Sequence, residues 1–306
     1  MNVKFDGADS GNASEPRKRR RRLTLAVLPT LLTLGNGVCG MASIAVAVSV
    51  NLPWENDEKL FIAGCFIFIG MVFDALDGSA ARMTNQSSQF GAQLDSLCDA
   101  ITFGAAPAVI LWRYSNVFPN RVSWAIGVVF TLCVLMRLAR FNVETEEDDA
   151  HEGFEGLPSP AAAGTIAAFV ISIPHLTTLT TGDYGPRTQH WAEQALIGFR
   201  YFIPLVALAL AYLMVSRFRY PHVVQQLLRG RRAPHQIGQA MFAVGGVFLL
   251  KELALPFALC YYAFSAPARH LAQKLGWASS PKGASSPALL ETEDPHAGAE
   301  SWEDRA

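Results

Sequence analysis

Long uncharged apolar runs fill the chain between residues 23 and 268 and are separated by short charged loops. A helix needs about 20 mainly apolar residues to cross the hydrocarbon core of a bilayer. Spans are predicted near residues 31–50, 60–82, 95–112, 122–141, 160–180 and 200–216. A helical hairpin of 233–250 and 253–268 follows, with a single kinked span as the alternative. The pattern predicts an all-α polytopic integral membrane protein with about eight transmembrane helices, or alternatively six or seven.

Composition supports this class and excludes an ordinary soluble domain. Only 17% of the residues are charged and 51% are hydrophobic, whereas soluble domains carry about 25% charged residues. The formal net charge of −1 gives no reason to expect a nucleic acid partner. The expected surroundings are a lipid bilayer.

The two ends of the chain differ from the apolar centre. Residues 1–22 hold seven Lys and Arg side chains, and residues 217–232 hold five Arg. Because short basic segments remain in the cytoplasm, both termini and the loop between residues 78 and 94 are predicted to be cytoplasmic. The predicted domains are a basic tail (1–22), a membrane domain (23–268) with a turn near Pro29, and a disordered tail (269–306).

Four acidic residues interrupt the second and third apolar runs. These runs reach spanning length only if their helices continue through Asp74 and Asp77 and begin near Asp95, which precedes Asp99 by four residues. Spacings of three and four residues place each pair on one helix face. An unpaired charge at the centre of a membrane helix costs at least about 2.5–3.5 kcal/mol, so a cation is expected between the pairs. Oxygen ligands suit magnesium, manganese or calcium.

The same acids also allow a cation-coupled membrane transporter. Against that alternative, no other predicted span carries a paired acidic or Gly/Pro-broken element in a corresponding position, as a transporter built from repeats would.

The spacing around these acids resembles a known family signature. The pattern DGxxAR, eight residues, then GxxxDxxxD is similar to the signature of the CDP-alcohol phosphatidyltransferase family, and it is met in full at Asp77, Gly78, Ala81, Arg82, Gly91, Asp95 and Asp99. Asp74 falls at the family's first aspartate. The segments 28–40, 90–108, 137–143 and 156–164 resemble the phosphatidylserine synthase branch of that family.

The resemblance implies a reaction and a division of roles. Asp74, Asp77, Asp95 and Asp99 would hold two divalent ions, Mg²⁺ or Mn²⁺, and Asp99 would also act as the general base. The hydroxyl of L-serine would attack CDP-diacylglycerol to give phosphatidylserine and CMP. Glycerol 3-phosphate and inositol phosphate remain alternative acceptors. The resemblance also implies a homodimer. The expected location is the inner membrane, and the basic segments predict that the active site faces the cytoplasm.

Further residues are candidates for holding the two substrates. Gly78, Ala81, Arg82 and Gly91 would line the site for the cytidine diphosphate, and the Arg82 guanidinium suits phosphate oxygens. Thr33 and Asn36 are candidates for nucleotide contact, with hydrogen bonding between helices as the alternative. For the carboxylate of serine, the candidates at the end of the fourth span are Arg137, Arg140 and Asn142. The alternative for the two arginines is anchoring to lipid head groups.

Overall fold

A computed structural model describes residues 15–84, 89–114, 117–146, 154–183, 185–220 and 253–274. The elements in chain order are α1 (Glu15–Val48), α2 (Asn56–Thr84), α3 (Gln89–Asp99), a π-helix (Ala100–Ala105), α4 (Ala106–Tyr114), α5 (Asn120–Glu146), β1 (Phe154–Glu155), α6 (Ser159–Thr181), α7 (Pro186–Val215), β2 (Arg219–Tyr220) and α8 (Ala254–Lys274).

Within these ranges, six helical segments are long and apolar enough to cross a membrane. They are Pro29–Val48, Asn56–Ala80, Gln89–Tyr114, Asn120–Val143, Ser159–Thr181 and Pro186–Val215. The prediction of an all-α polytopic membrane protein is confirmed. The first arm of the predicted hairpin, 233–250, lies outside the described residues, as do residues 1–14 and 275–306 of the predicted tails. The second arm, 253–268, corresponds to the first part of α8. Because only one arm is described, the number of spans, seven or eight, stays a prediction.

Two helices are longer than the apolar pattern predicts. The turn expected near Pro29 is wrong, because α1 continues through this residue. A proline inside a helix removes one backbone donor, and helices in membranes tolerate that loss. The helix predicted from residue 200 begins at Pro186 instead. Pro186 follows Gly185 and occupies the first helical turn, where the missing N–H costs nothing.

The acidic residues lie inside continuous helices, as the pattern predicts. α2 passes through Asp74 and Asp77 to Thr84, and α3 begins at Gln89, before Asp95. Immediately after Asp99 the helix widens into the π-helix and then narrows again into α4. Residues from Gln89 to Tyr114 therefore form one spanning segment with its acidic pair at the start.

The core of the bundle forms around α6. This helix is the most buried of the six spans, and it packs against α2 and α7. α1 packs along α2, while α5 packs against α7. Small residues on α6 allow neighbouring helices to approach closely, and large apolar side chains fill the remaining space, among them Phe103, Phe130, Phe169, Ile166 and Leu210.

The alternation of spans brings one set of helix ends together. The cytoplasmic ends predicted for α2, α3, α5, α6 and α7 lie at the same end of the bundle. β1 and β2 pair antiparallel there, with Phe154 opposite Tyr220, and so join the segment before α6 to the segment after α7. These elements belong to one compact unit, Met1–Pro267. Of the second unit, Ala268–Ala306, residues 268–274 are described and are helical.

Candidate active site

Three of the four predicted acids converge between α2 and α3. One carboxylate oxygen from each of Asp74, Asp95 and Asp99 lies within 4.8 Å of the other two. Asp99 is buried, and Asp74 and Asp95 are partly buried. Asp99 therefore experiences direct repulsion from the other two carboxylates. We call these three residues the acidic cluster.

The acidic cluster fits a divalent cation. Asp95 Oδ1 is buried and accepts no hydrogen bond from any group in the described part of the chain. A buried carboxylate oxygen without a partner is costly, and the cost rises when two further carboxylates lie beside it. A hard divalent cation offsets both the cost of the unpaired oxygen and the repulsion among the carboxylates, since carboxylate oxygens are its preferred ligands. The cluster could hold a divalent metal ion.

Asp77 lies beside the acidic cluster but has a different partner. It is buried, with 7% of its surface exposed, and its Oδ2 accepts a hydrogen bond from the Thr33 hydroxyl on α1. Asp77 does not belong to the group of three whose oxygens meet. Its predicted role as a fourth metal ligand stays a prediction.

α1 supplies hydrogen bonds to the acids. Asn36 is fully buried, and its Nδ2 donates to Asp99 Oδ1 over 2.8 Å. Thr33 similarly donates to Asp77. Hydrogen bonding between helices, the alternative considered from the sequence, therefore occurs at both positions. Contact with the nucleotide stays a prediction, and Asn36 Oδ1 has no hydrogen-bond partner among the described residues.

A close approach between α1 and the π-helix holds Asn36 in place. Thr102 donates from Oγ1 to the backbone carbonyl of Asn36 over 2.9 Å. One turn further along α1, a Cβ atom at Gly40 would lie only 2.8 Å from Thr102 Cα. Only glycine allows this contact, because a side chain would push α1 away from the acidic cluster.

The end of α5 lies beside α3 and α6. Asn142 donates from Nδ2 to Ser96 Oγ over 2.9 Å, and Ser96 directly follows Asp95. Arg137 donates from Nη1 to Ser159 Oγ over 3.3 Å. The structure thus brings Asn142 next to the helix that carries two acids, and Arg137 next to the start of α6. Arg140 is partly buried one turn from Arg137, on the same helix.

The predicted nucleotide-binding positions lie on α2 and α3. Gly78 is exposed at the end of α2 and Gly91 is partly buried at the start of α3. Ala81 and Arg82 are helical, but their side chains lie outside the described part of the structure, as do residues 85–88 between the helices. The structure places these backbone positions next to the acids, and their contacts with the cytidine diphosphate stay a prediction.

Three neighbours of the site were not singled out from the sequence. Ser96 and Thr102 lie within the segment 90–108, and Ser159 lies within the segment 156–164. Both segments resemble the phosphatidylserine synthase branch, and this resemblance was the only pointer to the three residues, because an isolated hydroxyl in an apolar run has no pattern.

Comparison with known proteins shows which family the chain belongs to. The family model described as CDP-alcohol phosphatidyltransferase matches residues 26–213. The chain belongs to the CDP-alcohol phosphatidyltransferase family. The match covers the first five spans and all but the last two residues of the sixth, together with the four aspartates and the residues of α5 and α6 that lie beside them.

Curated relatives of this family member carry consistent names. A CDP-diacylglycerol–serine O-phosphatidyltransferase of Helicobacter pylori strain J99 is 32% identical over 199 residues, which are 65% of this chain and 73% of that protein. The protein of the same name from Bacillus subtilis is 28% identical over 64% of this chain and 90% of its own length. An archaetidylserine synthase of Methanothermobacter thermautotrophicus is 31% identical over 64% of this chain and 70% of its own.

Proposed function

We propose that this protein is a CDP-diacylglycerol–serine O-phosphatidyltransferase, which converts CDP-diacylglycerol and L-serine to phosphatidylserine and CMP. The observation that carries the proposal is the acidic cluster of Asp74, Asp95 and Asp99 at the family signature. The names of relatives that share 28–32% of their residues with this chain support serine as the acceptor. Family membership favours the enzyme over the cation-coupled transporter.

The proposed reaction is a displacement at phosphorus. The serine hydroxyl oxygen forms a bond to the phosphorus that carries the diacylglycerol, and the bond from that phosphorus to the oxygen of CMP breaks. Asp99 takes the hydroxyl proton, since a carboxylate within hydrogen-bond reach can act as a general base. Asn36 orients Asp99 for this step through the hydrogen bond to Oδ1. Asp99 is therefore the proposed catalytic residue.

Divalent ions have a defined place in this proposal. Asp74, Asp95 and Asp99 would hold Mg²⁺ or Mn²⁺, with Asp77 as the fourth predicted ligand of a pair of ions. A bound divalent ion would supply charge neutralisation for the diphosphate and for the departing CMP. Arg82, four residues beyond Gly78 in the signature, is the proposed cationic partner of the phosphate oxygens.

The charge of the acceptor molecule favours L-serine over an alcohol that carries a phosphate. Serine is a zwitterion and needs one cationic partner for its carboxylate, whereas a phosphate acceptor brings about two negative charges and needs several cations. Arg137 and Arg140 on α5 are the proposed partners of the serine carboxylate, with Asn142 beside them. The Arg137 guanidinium is held at the start of α6, where its Nη1 donates to Ser159 Oγ.

Two further features complete the proposal. The active site faces the cytoplasm at the inner membrane, since the basic block at residues 17–22 precedes the first span and Arg217 and Arg219 follow the sixth, and short basic segments remain in the cytoplasm. The active unit is a homodimer, as the resemblance implies. Chemical crosslinking of the purified protein in lipid nanodiscs tests the dimer, and a protein that remains monomeric at all concentrations contradicts it.

A single assay tests the function. Purified protein receives CDP-diacylglycerol, Mg²⁺ or Mn²⁺, and one acceptor at a time: L-serine, glycerol 3-phosphate or inositol phosphate. CMP release and a phosphatidylserine product with serine are the expected results. If a phosphate acceptor reacts faster than serine, the assignment of serine as the acceptor is wrong. If no acceptor yields CMP, the proposal that the protein catalyses this reaction is wrong.

A further inference from the structure

Ser159 is a buried hydroxyl that contacts the proposed acceptor site from α6. Only 1% of its surface is exposed, and its Oγ accepts the hydrogen bond from Arg137 Nη1. Ser159 therefore holds the guanidinium that is the proposed partner of the serine carboxylate.

Backbone contacts fix the position of Ser159. The Gly156 N–H donates to the Phe218 carbonyl over 2.8 Å, and the Leu157 N–H donates to the Leu213 carbonyl over 3.1 Å. Gly156 has a φ of +86°, and a Cβ atom there would lie 2.4 Å from the Met214 carbonyl oxygen. The segment before α6 is thus held against the end of α7 by main-chain groups. Ser159 begins α6 from this fixed segment, so its hydroxyl has a defined place.

A hydroxyl partner restrains an arginine without cancelling its charge. Arginine has many rotamers, and recognition of a carboxylate by both N–H groups requires that the guanidinium plane be directed at it. An acidic partner would neutralise the guanidinium, whereas the neutral hydroxyl of Ser159 leaves its positive charge intact. We propose that Ser159 is a positioning residue that directs the Arg137 guanidinium at the carboxylate of L-serine, an inference that rests on the proposed function.

The test separates the two substrates. Ser159→Ala is expected to raise the KM for L-serine about 5- to 20-fold, as for the loss of one hydrogen bond to a charged group. The KM for CDP-diacylglycerol and the kcat at saturating serine should change less than about twofold. Ser159→Gly should behave like Ser159→Ala, while Ser159→Thr, which keeps the hydroxyl, should restore most of the serine affinity.

Ser172→Ala is the matched control. Ser172 lies on the same helix and is equally buried, with 1% exposed, but its hydroxyl donates to the Ala168 carbonyl of its own helix over 2.9 Å. This variant should keep the wild-type KM for both substrates. In addition, Ser159→Ala combined with Arg137→Ala should have the same serine KM as Arg137→Ala alone, because the hydroxyl acts only through the guanidinium.

Several results would overturn the inference. Ser159 would be assigned to packing if its variants raise the KM for L-serine and the KM for CDP-diacylglycerol equally, or lower kcat alone. The same conclusion would follow from additive effects in the double variant, or from misfolding of all three Ser159 variants. These outcomes are distinguishable from failure of the proposed function, because wild-type protein must first release CMP in the presence of serine. If it does so, an unchanged serine KM in Ser159→Ala rejects the positioning role and leaves the function standing.

Discussion

Asn36 on α1 and Asp99 on α3 are joined by a hydrogen bond of 2.8 Å, donated by the Asn36 amide across the interface between the two helices. The bond reaches the acid that the family resemblance assigns as the base. α1 therefore takes part in the site, although it carries none of the acids of the signature. Because Asn36 is fully buried, its loss cannot be compensated by bulk water.

Replacing Asn36 tests this contact. Asn36→Ala is expected to lower kcat about 10- to 100-fold, because Asp99 loses the donor that orients it and hydrogen bonds to charged groups contribute about 1.5–3 kcal/mol. If Asn36 also contacts the nucleotide, the KM for CDP-diacylglycerol will rise as well. Steady-state measurement of CMP release separates the two effects.

The control for this substitution lies on the same helix. Ser43 is also buried on α1, but its hydroxyl donates to the Ala63 carbonyl, away from the acids. Ser43→Ala should retain near wild-type kcat. Equal losses in Ser43→Ala and Asn36→Ala would show that α1 packing, rather than the Asp99 contact, determines activity.

The general base is tested by Asp99→Asn. The amide keeps the shape of the side chain but cannot take the serine proton, so turnover should fall roughly 10²- to 10⁴-fold. Binding of CDP-diacylglycerol, measured by calorimetry in detergent, should persist. Asp57→Asn serves as the control, because Asp57 lies on α2 at the opposite end of the bundle and accepts a hydrogen bond from Thr177. Near-normal turnover in Asp99→Asn would reassign this residue to packing.

Metal dependence follows from the acidic cluster. Excess chelator should abolish CMP release, and Mg²⁺ or Mn²⁺ should restore it, because three crowded carboxylates otherwise repel the substrate diphosphate. Asp74→Asn, Asp77→Asn and Asp95→Asn should each raise the metal concentration needed for half-maximal activity. Direct Mn²⁺ binding, followed by electron paramagnetic resonance, gives a readout independent of turnover. Full activity in chelator would contradict the proposed mechanism.

The sequence predicted that the acids meet, because their spacing places each pair on one helix face and buried charge is costly. Asp74, Asp95 and Asp99 do converge, whereas Asp77 bonds to Thr33. Their roles as metal ligands and base stay predictions. The partners of these acids were harder to predict. Thr33 and Asn36 were recognised only as polar residues in an apolar run, and whether each bonds to another helix or to a ligand depends on tertiary packing.

Other features could not be read from the apolar pattern at all. Ser159 and Thr102 are single hydroxyls whose partners, Arg137 and the Asn36 carbonyl, are 22 and 66 residues away in the chain. The π-helix after Asp99 has no sequence signature of its own. Pro29 was misread as a turn because proline usually ends helices in water, whereas a membrane favours keeping the remaining backbone hydrogen bonds.

The orientation in the membrane is tested by labelling single cysteines in a variant lacking the five native cysteines. A cysteine in place of Asn85, in the connection between α2 and α3, should react only after the membrane is permeabilised. A cysteine in place of Glu55, in the connection between α1 and α2, should react with an impermeant reagent in intact cells. Labelling of position 85 from outside would place the acidic cluster on the wrong face for a cytoplasmic nucleotide.

The packing of α1 against the π-helix predicts a stability difference between two glycines. In Gly40→Ala, the new methyl group would lie 2.5 Å from Thr102 Oγ1 and 2.8 Å from Thr102 Cα, which the backbone can relieve only by moving apart. Overpacking of this kind costs about 1–3 kcal/mol, so the Tm in detergent should fall and CMP release should fall with it as Asn36 shifts.

Gly198→Ala on α7 is the matched control, because nothing lies within 4 Å of a Cβ atom there, and alanine stabilises a helix by about 0.5–1 kcal/mol relative to glycine. Its Tm should be unchanged or higher. Equal Tm values for Gly40→Ala and the wild type would show that α1 and the π-helix are not in close contact, and the support for Asn36 beside Asp99 would be lost.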